Sequence, residues 1–172
     1  MKIGGKEPRF PDKEGAGQPD PENSFRTREP GCPEDETMKA IPLVRKHMTP
    51  IPHSIGADQT LATARDFMKA HGIRHLPVLS SGRLTGILTD RDIKMAMGFE
   101  GVNPVVTRVE EIALEDPFTA SPEAKLDEVA AAMAEKKIGS ALIVDHGHLV
   151  GIFTAQDALK ALSELLRTRL VG

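Results

Sequence analysis

The chain has 172 residues, a formal net charge of −3, 40% apolar residues and only 3% aromatics, with neither Trp nor Tyr. That length suits one ordinary domain or two small subdomains around a shared aliphatic core. The near-neutral balance gives no basic footprint for a phosphate backbone, and six Phe alone build no stacking platform for single-stranded nucleic acid. No apolar stretch approaches the roughly 20 residues of a membrane span, and residues 1–10 lack the apolar segment of a signal peptide. The single cysteine, Cys32, leaves no intramolecular disulfide. These features lead us to expect a cytoplasmic protein that engages neither membrane nor nucleic acid.

Residues 1–40 hold six of the 13 prolines and five of the 15 glycines, with very few aliphatic side chains. Such a segment buries too little apolar area to offset its ordering entropy, so a disordered tail is expected there. From Val44 a repeat begins. Residues 44–92 align with 109–157 at an offset of 65 without a gap, and 11 of the 49 positions are identical. Among them are Val44/Val109, Pro52/Pro117, Leu61/Leu126, Met68/Met133, Gly86/Gly151, Thr89/Thr154 and Asp92/Asp157. A fixed period of this kind signals a repeated structural unit, and two copies suit a pseudo-twofold pair better than a solenoid.

Both copies carry the same succession of elements. A short strand is expected near residues 52–55 or 117–120. Leu61, Ala64, Phe67, Met68 and His71 then share one helical face, as do Leu126, Val129, Ala130 and Met133. Apolar runs at 75–79 and 140–144 read as buried strands, followed by polar turns at Gly82 and Gly147 and second strands at 84–89 and 149–154. Second helices follow, carrying Ile93, Met95 and Met97, or Ala158, Leu159 and Leu162. The fold class is therefore α/β (α+β). Each repeat is a small three-stranded sheet with two helices, over 41–104 and 105–172, and the two pack together because neither can cover its own sheet.

The repeated signature Gly-Ile-x-Thr-x-x-Asp falls where a strand gives way to a helix: Gly86-Ile87 to Thr89 and Asp92, and Gly151-Ile152 to Thr154 and Asp157. Its structural reading is a helix cap, with Thr at the N-cap and an acid three residues on. Its functional reading uses the same place as a binding site. A helix N-terminus attracts a phosphate, and the carboxylate one turn on accepts both hydroxyls of a ribose. The two roles are compatible, and recurrence in both repeats favours the second.

Together with His71-Gly72-Ile73-Arg74-His75-Leu76-Pro77-Val78 and the run Gly82 to Ile93, the first copy resembles a CBS motif. The second copy is similar but looser. The resemblance covers residues 44 to about 166, roughly 70% of the chain. It implies a Bateman module: two motifs packed through their sheets, two clefts for AMP, ADP, ATP or S-adenosylmethionine, and frequent pairing into a homodimer. It also implies crossed clefts. Thr89 and Asp92 would face Ile138, Gly139 and Ser140, while Thr154 and Asp157 would face Ile73, Arg74 and His75. Ile87 and Ile152 would floor the slots.

The copies differ where it matters. Gly139 and Ser140 stand for Arg74 and His75, and Ala155-Gln156 for Asp90-Arg91. The planar fork of Arg suits phosphate, so the Thr154/Asp157 cleft is expected to prefer a phosphorylated ligand, the plainer role for Arg74 being a solvated charge at a strand end. The histidine pairs His71/His75 and His146/His148 lack the third and fourth ligands that zinc needs, so no metal is expected. No nucleophile–base pair or Gly-x-Ser-x-Gly elbow is visible. We expect a non-catalytic sensor of adenosine-type ligands that requires no cofactor. The rivals are a ligand-free dimerisation scaffold and, with less support, a small enzyme. Output would pass through self-association or an unidentified protein partner. Leu162, Leu165, Leu166 and Leu170 of the last helix either pack on the chain's own core, as we expect, or form that contact surface.

Overall fold

The structure is a computed structural model that describes residues 41–170; the tail expected over 1–40, with Cys32, lies outside the described residues. In chain order come a 3-10 turn (Val44–Lys46), β1 (Thr49–Pro50), β2 (Ile55–Gly56), α1 (Leu61–His71), β3 (His75–Ser80), β4 (Arg83–Thr89) and α2 (Asp90–Ala96). The second repeat follows with a 3-10 turn (Val109–Glu111), β5 (Leu114–Glu115), β6 (Thr119–Ala120), α3 (Leu126–Lys136), β7 (Ser140–Asp145), β8 (His148–Thr154) and α4 (Ala155–Leu170).

Local chemistry sets these boundaries. The Thr60 hydroxyl accepts from the Thr63 backbone N–H to open α1, and Gly72 closes it in the left-handed conformation (φ 64°). Leu61, Ala64 and Met68 are the buried face of α1, with Phe67 packed partly against the same core and His71 left exposed. In α3 the buried face is Leu126, Val129 and Met133. The residue matching Gly72 is Lys137, which takes the same left-handed turn (φ 55°) against the preference of a residue with a Cβ.

The sheets depart from the three-stranded expectation in an instructive way. Each repeat does supply three strands, β2-β3-β4 and β6-β7-β8, with the outer pair parallel and the inner pair antiparallel. Each sheet then gains a fourth, two-residue strand from the other repeat: β5 pairs with β4, and β1 pairs with β8. The preceding 3-10 turns cross over too. Val44 is wholly buried in the second repeat's core beside Phe153, and Val109 in the first repeat's core beside Leu61. Matched backbone hydrogen bonds fasten the exchange. Val44 N–H donates to the Ala124 carbonyl (2.8 Å) and Val109 N–H to that of Gln59 (2.8 Å). Leu126 N–H donates to the Pro42 carbonyl (2.9 Å) and Leu61 N–H to that of Thr107 (3.0 Å).

The exchange explains the glycine of the signature. A Cβ on Gly86 would lie 2.7 Å from the Leu114 carbonyl oxygen of the donated strand, and one on Gly151 would collide with the Met48 thioether. The side chain one residue on, Ile87 or Ile152, packs with Leu142 where the two sheets meet through β4 and β8. In the second helices the core is smaller than the sequence suggests. Ile93 and Ala96 are buried in α2, whereas Met95 and Met97 are exposed. In α4, Ala158 and Ala161 face the core while Leu159, Leu162, Leu165 and Leu166 remain exposed; the side chain of Leu170 lies outside the described residues. The expected packing of Leu162, Leu165 and Leu166 on the chain's own core therefore does not occur, because the small Ala158 and Ala161 take the core-facing side of α4.

Adding a methyl at Gly86 should cost about 1–3 kcal/mol, since a backbone carbonyl must move. Gly151→Ala should cost less, because the unbranched Met48 side chain can swing aside. Urea denaturation midpoints at unchanged m-value check the ranking; a larger loss for Gly151→Ala would refute it.

Candidate functional site

The two signature helices begin with the same hydrogen-bonded box. Thr89 N–H and hydroxyl both donate to Asp92 Oδ2 (2.9 and 2.6 Å), and the Asp92 N–H donates back to Thr89 Oγ1 (3.2 Å). In the second repeat the corresponding distances are 3.0, 2.7 and 3.4 Å between Thr154 and Asp157. The structural reading of the signature as a cap is thus correct for both copies. It leaves the other carboxylate oxygen, Oδ1, outside the box. Asp157 is the one buried charged residue among the described residues, and its Oδ1 lies 3.4 Å from Lys160 Nζ.

The Thr154/Asp157 box opens onto a cleft of about 660 Å³. Ile73, Arg74 and His75 of the first repeat line it together with Ile152, Thr154 and Asp157 of the second. The strand ends are held across their own ladders. His75 sits opposite Thr89 and Ser140 opposite Thr154, while the Arg74 carbonyl accepts from Asp90 N–H (3.0 Å) and the Gly139 carbonyl from Ala155 N–H (2.9 Å). Arg74 is exposed, and no carboxylate among the described residues pairs with it.

Gly139, expected opposite Thr89 and Asp92, lines this cleft as well. A Cβ there would come within 3.3 Å of His75 Nε2, so the small residue in one repeat makes room for the imidazole of the other. Burial lowers the pKa of His75; the Asp92 carboxylate opposes that shift and Arg74 adds to it. His75 therefore lies within electrostatic reach of one box while lining the cleft of the other. The remaining expected residues are less concentrated. Thr89 and Asp92 form the first box, Ile87 packs at the sheet junction, Ile138 packs on the second repeat's core, and Ser140 is half-buried at the start of β7.

Thr49, Pro52, His53 and Lys160 are among the lining residues that sequence reasoning missed. Pro52 carried a signal, as it recurs at Pro117. His53 is held by ring contacts with His71 (4.2 Å between centroids) and Phe67 (5.4 Å). Among the described residues no three His, Cys, Asp or Glu side chains gather closely enough to hold a metal ion.

The sequence profile of the CBS domain matches twice, over residues 44–98 and 109–164. The CBS domain-containing protein YhcV of Bacillus subtilis is 33% identical over 117 residues, covering 66% of this chain and 81% of its own length. Among solved structures, a provisionally assigned acetoin utilization protein (AcuB) from Vibrio cholerae superposes with a TM-score of 0.69 at 31% identity, over 77% of this chain and 98% of that one. The CBS domain pair of protein MJ0100, solved in complex with 5′-methylthioadenosine and S-adenosyl-L-methionine, gives a TM-score of 0.65 at 28% identity, over 70% of this chain and 99% of that one.

The lowered pKa of His75 has a stability consequence with a definite sign. Below the ordinary value of 6.5 the unfolded chain takes up this proton more readily than the folded one. Stability should therefore fall as pH drops through 6.5 towards the depressed folded value, and should be fully present above it. Thermal melts between about pH 7.5 and about pH 5 should show a smaller acid-side loss for His75→Gln than for the wild type; equal losses would contradict this assignment.

Proposed function

The chain belongs to the CBS-domain family, and from that premise we propose that its tandem pair is a non-catalytic sensor whose Thr154/Asp157 cleft binds an adenosine-type ligand, with a phosphorylated nucleotide preferred there. The observation that carries this reading is the meeting of Thr154 and Asp157 with Arg74 and His75 in one cleft of about 660 Å³. That volume lies in the ordinary range for a small-molecule site. The ribose hydroxyls would donate to Asp157, the adenine would lie against Ile73 and Ile152, and the phosphate would meet the Arg74 guanidinium near the first turn of α4. Ligands of the MJ0100 pair, 5′-methylthioadenosine and S-adenosyl-L-methionine, support the adenosine class. By the repeat symmetry, Thr89 and Asp92 would serve a second cleft with Ile138 and Ser140, poorer in positive charge.

A ligand bridging the two repeats favours whichever relative arrangement it binds better, and only by that difference in affinity. The exposed leucines of α4 would pass the change to a second copy of the chain or to a protein partner. One observation favours the rival scaffold reading: within each box the Thr hydroxyl and one Asp oxygen already bond each other as a helix cap.

A thermal-shift titration with AMP, ADP, ATP, S-adenosylmethionine and GTP separates the two. A ligand bound only by the folded state raises Tm with concentration, by about 2.7 kcal/mol of stabilisation at 100 times Kd. Adenosine ligands should do so and GTP should not, and Asp157→Asn should weaken AMP roughly tenfold, the loss of one charged hydrogen bond. No shift with any of the five at millimolar concentration would establish the scaffold instead.

A further inference from the structure

The box at Thr154 differs from the box at Thr89 in what holds the free carboxylate oxygen. Asp157 Oδ2 is already engaged by the Thr154 N–H and hydroxyl, so a ribose must use Oδ1. That oxygen is the one facing Lys160 Nζ at 3.4 Å. The Asp157 side chain is only 11% exposed, whereas that of Lys160 is 67% exposed and lines the same cleft. In the first repeat the position of Lys160 is held by Met95, and the neighbouring Lys94 is tied to Asp90 at 2.6 Å. The counterpart of Asp90 is Ala155, so no such acid competes in the second repeat.

We propose that Lys160 makes the Thr154/Asp157 cleft selective for phosphorylated nucleotides over neutral nucleosides, by moving from Asp157 Oδ1 to the ligand phosphate as the ribose takes its place. This rests on the nucleotide reading of that cleft and names the residue that sets its preference. The exchange conserves charge pairing. Two ribose O–H donors replace the ammonium at a nearly buried carboxylate, and the ammonium finds a new anion within reach of its flexible four-carbon stem. With a neutral nucleoside the ammonium is released only to water. The ammonium is two-thirds exposed and its loss at Asp157 is made good by the ribose O–H donors, so nucleoside binding is almost indifferent to Lys160, and the discrimination comes from the new ammonium–phosphate bond. Arg74, on the facing repeat, fixes the phosphate from the other side and does not touch Asp157's free oxygen.

Calorimetric titration of the full chain with AMP and with adenosine tests this, using the wild type, Lys160→Met, Lys160→Arg and Asp157→Asn. Lys160→Met, which copies the first repeat, should weaken AMP about tenfold while leaving adenosine within about twofold, and Lys160→Arg should recover most of the AMP affinity. Parallel weakening of AMP and adenosine by Lys160→Met would overturn the proposal, as would unchanged AMP affinity. If AMP fails to bind the wild type, or Asp157→Asn leaves its affinity unaltered, the nucleotide reading of the cleft fails and the role of Lys160 with it. That result differs visibly from one in which Asp157→Asn weakens AMP and Lys160→Met does not.

Discussion

The structure depends on a reciprocal loan of backbone. Residues 44–50 complete the core and sheet of the second repeat, and 109–115 complete those of the first. Two residues of strand on each side are a weak contact by themselves. Their weight comes from Val44 and Val109, each wholly buried in a core built chiefly by the other repeat. An element that short is stable only when tertiary packing holds it, and here the packing belongs to the neighbour. The same arrangement fixes β4 and β8 as inner strands of their sheets, and the helix starts at Thr89 and Thr154 are projected from the ends of those strands.

On this symmetric backbone the side chains break the symmetry. Arg74 and His75 on one copy face Gly139 on the other, and the fit is mutual: the imidazole occupies space that a Cβ at 139 would crowd. A site built from two different halves of a duplicated fold can thus acquire charge on one side without opening a gap on the other. The Thr–Asp boxes, identical in both copies, supply the common part, a helix start with one carboxylate oxygen committed to the backbone and one left over.

Much of this was legible in the sequence, and the reasons for the rest are physical. The gapless register exposed the duplication, the helix faces and the two signatures. Amphipathic periodicity survives in eleven-residue helices such as α1 and α3. The exchange was not legible, because a segment that recurs at the same place in both copies keeps the same register whether it packs on its own repeat or on the other, and 44–50 and 109–115 share only their first Val. The donated strands, two residues each, carry no alternation to read. The exposed Met95, Met97 and α4 leucines were misjudged for a related reason: alanines next to them take the core positions, and hydrophobicity alone does not rank a small residue above a large one. Lys160 escaped notice since the aligned residue is Met95, and a position that differs between repeats gives no repeat signal.

The crossing of the two repeats also changes what kind of object this chain is. Remove the connection over residues 97–108 in thought, and what remains is a strand-swapped dimer of two half-chains, each closing the other's sheet. A free dimer of that type holds together only above a concentration set by its affinity. The connecting segment turns the same association into an intramolecular one, at an effective concentration in the millimolar range for a short tether. Covalent linkage therefore does more than keep two halves in company. It frees each half to drift in sequence, as Arg74 and Gly139 have done, because the two surfaces no longer have to be copies of one another.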